Sequence, residues 1–124
     1  MSQYVLGLAK SFKAEADYSA KQYLLVKLGA TAGGCLLSTA NTDLIVGAIQ
    51  NKPASGEGAD IPLTGTALVK AGGTLSKGAY LTADSASKAI SEGTEDKQIF
   101  GIALEDAVVD DVFEYLPIPL GVRP

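Results

Sequence analysis

Leu44-Ile45-Val46-Gly47-Ala48-Ile49 and Gln98-Ile99-Phe100-Gly101-Ile102-Ala103-Leu104 decide how this chain reads. Each is an apolar run with a glycine at its middle. Each is followed by a polar, acidic loop and a second run: Ala59-Asp60-Ile61-Pro62-Leu63 after the first, Asp111-Val112-Phe113-Glu114-Tyr115-Leu116 after the second. The same strand–loop–strand pattern therefore occurs twice. Between the copies, Thr66-Ala67-Leu68-Val69-Lys70-Ala71 is another β-prone run, ended by Gly72-Gly73. Short apolar runs bounded by turn residues predict strands. A glycine inside a strand marks a bulge or a close approach to the backbone, and Gly47 is expected at such a point. Pro62 cannot donate to a ladder, so its strand is expected at an edge or in a bulge.

Toward the N-terminus, Gln22-Tyr23-Leu24-Leu25-Val26-Lys27-Leu28 predicts a strand ended by Gly29, and Gly29 to Gly34 a loop or hairpin tip. Cys35-Leu36-Leu37 predicts a brief strand, and Ser38 to Asp43 a turn. Phe12 to Asp17 alternates with period two, which suits a strand or an extended arm; propensity also permits a short helix over Ala14 to Ala20. Toward the C-terminus, Ala79-Tyr80-Leu81-Thr82 and Ala89-Ile90 predict two more short strands. Pro117, Pro119 and Pro124 predict an extended, non-helical tail. The expected organisation is an N-terminal arm or first strand over 1–20, a β-domain over 21–117 and a proline-containing tail over 118–124. The expected fold is all-β: a small barrel or sandwich of short strands with an extended N-terminal arm.

Composition bounds the function. The 124 residues fit one domain with one real core. Fourteen glycines imply many turns. A net charge of −4 argues against a nucleic-acid partner, because phosphate contact needs a basic surface. No apolar run approaches the length of a membrane span, and no signal-peptide pattern opens the chain. With no histidine, a Ser-His-Asp triad, a Cys-His dyad and a His-ligated metal site are all excluded. The one cysteine, Cys35, lies in an apolar setting and reads as a small buried hydrophobe.

Three local patterns invite a catalytic or ligand-binding reading. Ser85-Ala86-Ser87-Lys88 matches Ser-x-x-Lys, but its surroundings read as a turn and the companion elements are missing. Gly72 to Gly78 has the residues of a phosphate loop in the wrong order, with no helix pattern after it. Glu57, Asp60, Glu105, Asp106, Asp110 and Asp111 are the carboxylates a cation could use, yet they show no EF-hand spacing and read as solvated loops. No catalytic residue, metal or cofactor is predicted.

The order of elements over residues 20 to 117 resembles the small β-domain type of capsid cement, or head decoration, proteins of tailed bacteriophages. The resemblance is carried by Gln22 to Leu28, by Ile45-Val46-Gly47-Ala48, by Gly56-Glu57-Gly58-Ala59-Asp60, by Leu63-Thr64-Gly65-Thr66-Ala67-Leu68-Val69, by Leu75-Ser76-Lys77-Gly78-Ala79-Tyr80-Leu81, and by Phe100 to Ala107 with Val112 to Leu116. The turn before Ala89 departs from that pattern, with Ser87 ahead of Lys88 where glycine is frequent. The resemblance implies a structural virion protein, made in the host cytoplasm, that sits on the outer capsid surface. It implies the major capsid protein as partner and a homo-oligomer, with a trimer favoured. Neighbouring capsid subunits would be bridged and stabilised, with no nucleic acid and no membrane bound. The contacts to the capsid or a neighbouring protomer are expected from Tyr4, Val5 and Leu6 with Phe12, and removal of Ser2 to Asp17 is expected to leave a folded domain that no longer binds. Two other readings differ in class. A carbohydrate- or surface-binding β-module would want aromatic platforms, and the chain has no tryptophan. A small hydrolase would want the histidine that is missing.

Overall fold

A computed structural model of the chain describes residues 9–93 and 97–122. Among them are ten strands and no helix. In chain order they are β1 (Ala9–Ala14), β2 (Leu25–Leu28), β3 (Gly34–Leu37), β4 (Ile45–Ala48), β5 (Gly58–Pro62), β6 (Ala67–Lys70), β7 (Tyr80–Ala83), β8 (Ala89–Ser91), β9 (Gln98–Ala103) and β10 (Val112–Val122). They form two five-stranded sheets, ordered β4-β2-β3-β1-β5 and β6-β10-β9-β7-β8. The fold is all-β, as the glycine-punctuated runs predict.

The first sheet curls into a half-barrel. Its two edge strands, β4 and β5, are brought together, and the Gln50 N–H donates to the Asp60 carbonyl at 3.0 Å. Phe12, Ala14, Val26, Cys35, Val46, Ile49, Ala59 and Ile61 fill the inside of the curl. All the pairings are antiparallel except β1 with β3, where Lys13 lies opposite Gly34 and Ala14 opposite Cys35. Pro62 ends β5, an edge strand, where a missing N–H leaves no ladder bond unmade.

The second core lies between the sheets. Leu25, Ile45 and Ala48 of the half-barrel meet Val69, Leu81, Phe100, Phe113 and Tyr115. Strand β4 feeds both cores, with Val46 in one and Ile45 and Ala48 in the other. A strand buried on two faces has no solvent side on which to place polar residues. That is why Leu44 to Ile49 reads as a continuous apolar run instead of an alternating one.

Tyr115 locks the sheets together. Its phenol oxygen accepts the Ala48 N–H at 3.2 Å, across from β10 to β4. Its ring stands edge-on to Phe100, with centroids 5.0 Å apart and planes at 77°, a favoured aromatic geometry. Two glycines make room for it. A Cβ at Gly101 would lie 2.8 Å from the Tyr115 ring and 2.5 Å from the Leu116 carbonyl oxygen. A Cβ at Gly47, where φ is +148°, would lie 3.3 Å from the Tyr115 hydroxyl and 2.9 Å from an Ile61 methyl. Gln50 adds a second tie: its side-chain amide donates to the Leu68 carbonyl at 2.8 Å and accepts the Leu68 N–H at 3.2 Å, standing in for a strand neighbour of β6.

The structure differs from the sequence-based expectations in several places, among them β10, which runs on to Val122 beside β9 through residues expected as a tail. The two copies of the strand–loop–strand pattern are not structural repeats. Strands β9 and β10 are adjacent antiparallel partners, whereas β4 and β5 lie at opposite edges of one sheet. The run from Gln22 becomes strand only at Leu25, because Tyr23 has φ of 68° and kinks the chain while its carbonyl accepts the Lys70 N–H at 2.9 Å. Residues 15–20 form turns in place of a short helix. The Asp17 carboxylate accepts the Ser19 N–H at 3.1 Å, a local bond that competes with helical pairing.

Candidate functional site

The segments that invited a catalytic reading are turns held by their own side chains. Asp84 accepts the Ala86 and Lys88 N–H groups at 2.8 and 2.9 Å, so Ser85 to Lys88 is a capped turn between β7 and β8. Ser85 is exposed, and Ser87 is buried with φ of 64°. Lys88 Nζ donates to Asp110 at 2.6 Å. That bond holds the ammonium pKa above its usual value, the opposite of what a lysine base requires. The chain through Gly72-Gly73 carries Leu75, whose N–H and carbonyl bond Ala107 at 2.8 and 3.0 Å.

The acidic residues likewise serve the loops that carry them. Glu57 accepts the Ala54 N–H at 2.7 Å, Glu105 the Glu114 N–H at 2.8 Å, Asp106 the Lys77 N–H at 2.8 Å and Asp111 the Val108 N–H at 3.0 Å. Among the described residues no three Cys, Asp or Glu side chains converge on a point that could hold a metal ion. Cys35 is fully buried, and burial pushes its thiol pKa up, away from a reactive thiolate.

The residues expected to touch a capsid or a neighbour divide. Tyr4, Val5 and Leu6 lie outside the described residues. Phe12 lies in β1, between β3 and β5, with its side chain in the half-barrel core and 6% exposed. Lys10 Nζ stands 5.5 Å from the Phe12 ring, over its outer side. Phe12 therefore anchors the strand from which any N-terminal arm departs. Removal of residues 2–17 would strip out β1 and two core side chains, Phe12 and Ala14, so a truncation that tests the arm must stop before Ala9.

Two surface features come into view only in three dimensions. The first is the tip between β9 and β10. Val108 and Val109 are each 56% exposed there, side by side. The tip is stiff. Ala107 pairs with Leu75, Asp111 caps Val108, and Asp110, with φ of 69°, donates its N–H to the Ala71 carbonyl at 2.8 Å while its carboxylate takes the Lys88 ammonium. That same ammonium holds the Asp110 pKa below its usual value, with a smaller contribution from the charge of Lys70. The second feature is a depression of about 370 Å³ beside the tip, lined by Ser19, Gln22, Tyr23, Lys52, Lys70 and Val112. Neither Lys52 nor Lys70 has an ion-pair partner among the described residues. A bulky residue with positive φ is uncommon and costs of order 1–3 kcal/mol, and it is Tyr23, on the rim of this depression, that carries one. The sequence held a faint signal for the tip, two adjacent valines inside an acidic loop. It held none for the depression, whose lysines come from the β4–β5 loop and from β6.

These features define a class: an all-β, two-sheet domain with a curled half-barrel, its polar chemistry spent on capping turns. No protein-family model matches the chain, and no curated protein matches it. Among solved structures the chain is similar to the head fiber gp8.5 N base of bacteriophage phi29, with a TM-score of 0.68 and 16% sequence identity. The likeness covers 94% of this chain and 98% of that one. The two share a fold across almost their full lengths.

Proposed function

We propose that this chain is a structural protein of a tailed-phage head: a decoration protein that binds the outer capsid surface, bridges neighbouring capsid subunits and catalyses nothing. The observation that carries this reading is the fold shared with a phage head fiber base over nearly the whole of both chains. The ordered run of glycine-centred strands that resembles capsid cement proteins supports it independently. The physics suits the task. A ligand that binds the assembled shell and not its free subunits stabilises the shell by its binding free energy, and repeated copies on one lattice add through multivalency. A domain with two interlocked cores transmits load between subunits without deforming. Net charge of −4 keeps decorated particles apart. The partner in this reading is the major capsid protein, the working unit is a homo-oligomer with a trimer favoured, and the N-terminal segment with Tyr4, Val5 and Leu6 reaches the neighbour.

Gold-labelled antibody against the chain, applied to intact cognate virions, tests the location. Label spread over the head is the expected image. Label confined to the tail, or virions that lack the chain, would refute the proposal.

A further inference from the structure

We propose that the valine tip of one copy seats in the Lys52–Lys70 depression of a second copy, so that the protein closes head-to-tail into a ring. The proposal rests on the oligomer named above and makes no use of shell binding.

Three observations carry it. Val108 and Val109 form an apolar knob on a stiff, doubly capped loop, so burying them against a partner orders little that is not already fixed. The knob is flanked by the exposed residues Asp106, Asp110 and Asp111, of which Asp110 is already paired with Lys88. The depression offers the complement: Lys52 is exposed, Lys70 is half-buried, neither has an ion-pair partner among the described residues although the charge of Lys70 also acts on Asp110 of its own chain, and Val112 gives an apolar lip. A patch that is complementary to a different patch on an identical copy makes a heterologous contact, which either closes into a ring or runs on as a filament. Here the two patches are neighbours. Val112 follows Asp111 directly, and the Ala71 N–H donates to the Asp111 carbonyl beside Lys70 at 2.8 Å. Knob and hollow therefore flank one end of the second sheet, which suits a small closed ring about an axis running past that end.

Sedimentation velocity on the purified chain, without capsids, tests this through the signature of a heterologous contact. The wild type is expected as a ring, trimeric in the reading above. V108S/V109S lacks the knob and K52E/K70E reverses the hollow; each is expected to sediment as a monomer, with the association constant lowered at least tenfold. A 1:1 mixture of the two still holds one intact knob and one intact hollow, and is expected to give a dimer and nothing larger. The substituted side chains lie at the surface, and unchanged circular dichroism shows that each variant is folded. The milder V108T/V109T and K52Q/K70Q keep side-chain size and are expected to weaken the ring in the same direction. A wild type that stays monomeric, a variant that keeps the wild-type assembly, or a mixture that stays monomeric overturns the proposal. A ring that assembles as described yet ignores capsids would leave this interface standing and refute the capsid reading instead.

Discussion

Tyr115 ties the two sheets together. It is fully buried, it bonds β10 to β4 through the Ala48 N–H, and two glycines are shaped around it. Tyr115→Phe keeps the ring and orphans a buried donor. Such a donor costs roughly 1–3 kcal/mol, so the unfolding free energy is expected to fall by that amount, seen as a lower urea midpoint with an unchanged slope. Burial also raises the phenol pKa above its usual value. Asp43 contributes on the acid side. Burial pushes its carboxyl up, but the Thr39 N–H at 3.0 Å, the Lys27 charge and the Ser38 hydroxyl together bring it below its usual value. A carboxyl depressed in the folded state stabilises the fold above its unfolded pKa of about 4, and that contribution is lost as pH falls through the folded value. Asp43→Asn is therefore expected to lower stability at pH 7, with the gap to wild type closing as pH drops below about 4. Urea midpoints across that range check it, and a gap independent of pH would contradict the assignment.

The elements show where a sequence can be read and where it falls silent. Strand identity was legible because short apolar runs stand between glycine, proline and aspartate turns, and β3, β4, β6 and β8 lie within a residue or two of their expected places. The edge position of β5 was legible in Pro62, since proline is tolerated where no ladder bond is needed. Pairing was not legible. Leu44 to Ile49 and Gln98 to Leu104 look alike, yet the first is an edge strand wedged between two cores and the second an interior strand beside β10. Local pattern fixes a strand's faces and leaves its neighbours to long-range packing. Residues 15–20 went the other way, where alanine propensity lost to the Asp17–Ser19 turn. The position of β1 bears on the candidate site. Deleting residues 2–8 is expected to leave the thermal transition within a few degrees of wild type and to abolish capsid binding. Deleting residues 2–17 is expected to abolish the cooperative transition itself, because β1 is paired on both sides. Capsid binding at full occupancy by the shorter deletion would remove the arm from the account.

At the scale of the molecule, two sheets enclose two cores, and the tip and the depression lie on the outside. The tip, the depression and the strand that leads out to the N-terminus are the surfaces on which the proposals above rest. The candidate site was therefore only partly legible. Tyr4, Val5 and Leu6 announced an apolar segment, but the juxtaposition of Val108 and Val109 with Lys52 and Lys70 exists only once the β4–β5 loop has packed beside β6 and the β9–β10 tip. Fold likeness at 16% identity speaks to architecture, and the proposed role in a phage head calls for a direct measurement. Cognate DNA-filled heads lacking this protein, titrated with the purified chain and pelleted, give the most direct measurement, followed by the temperature at which those heads release DNA. Saturation at a fixed ratio to the major capsid protein, with DNA release moved to higher temperature, is the predicted result. Heads that pellet without the chain at every concentration, and rupture at an unchanged temperature, would contradict it.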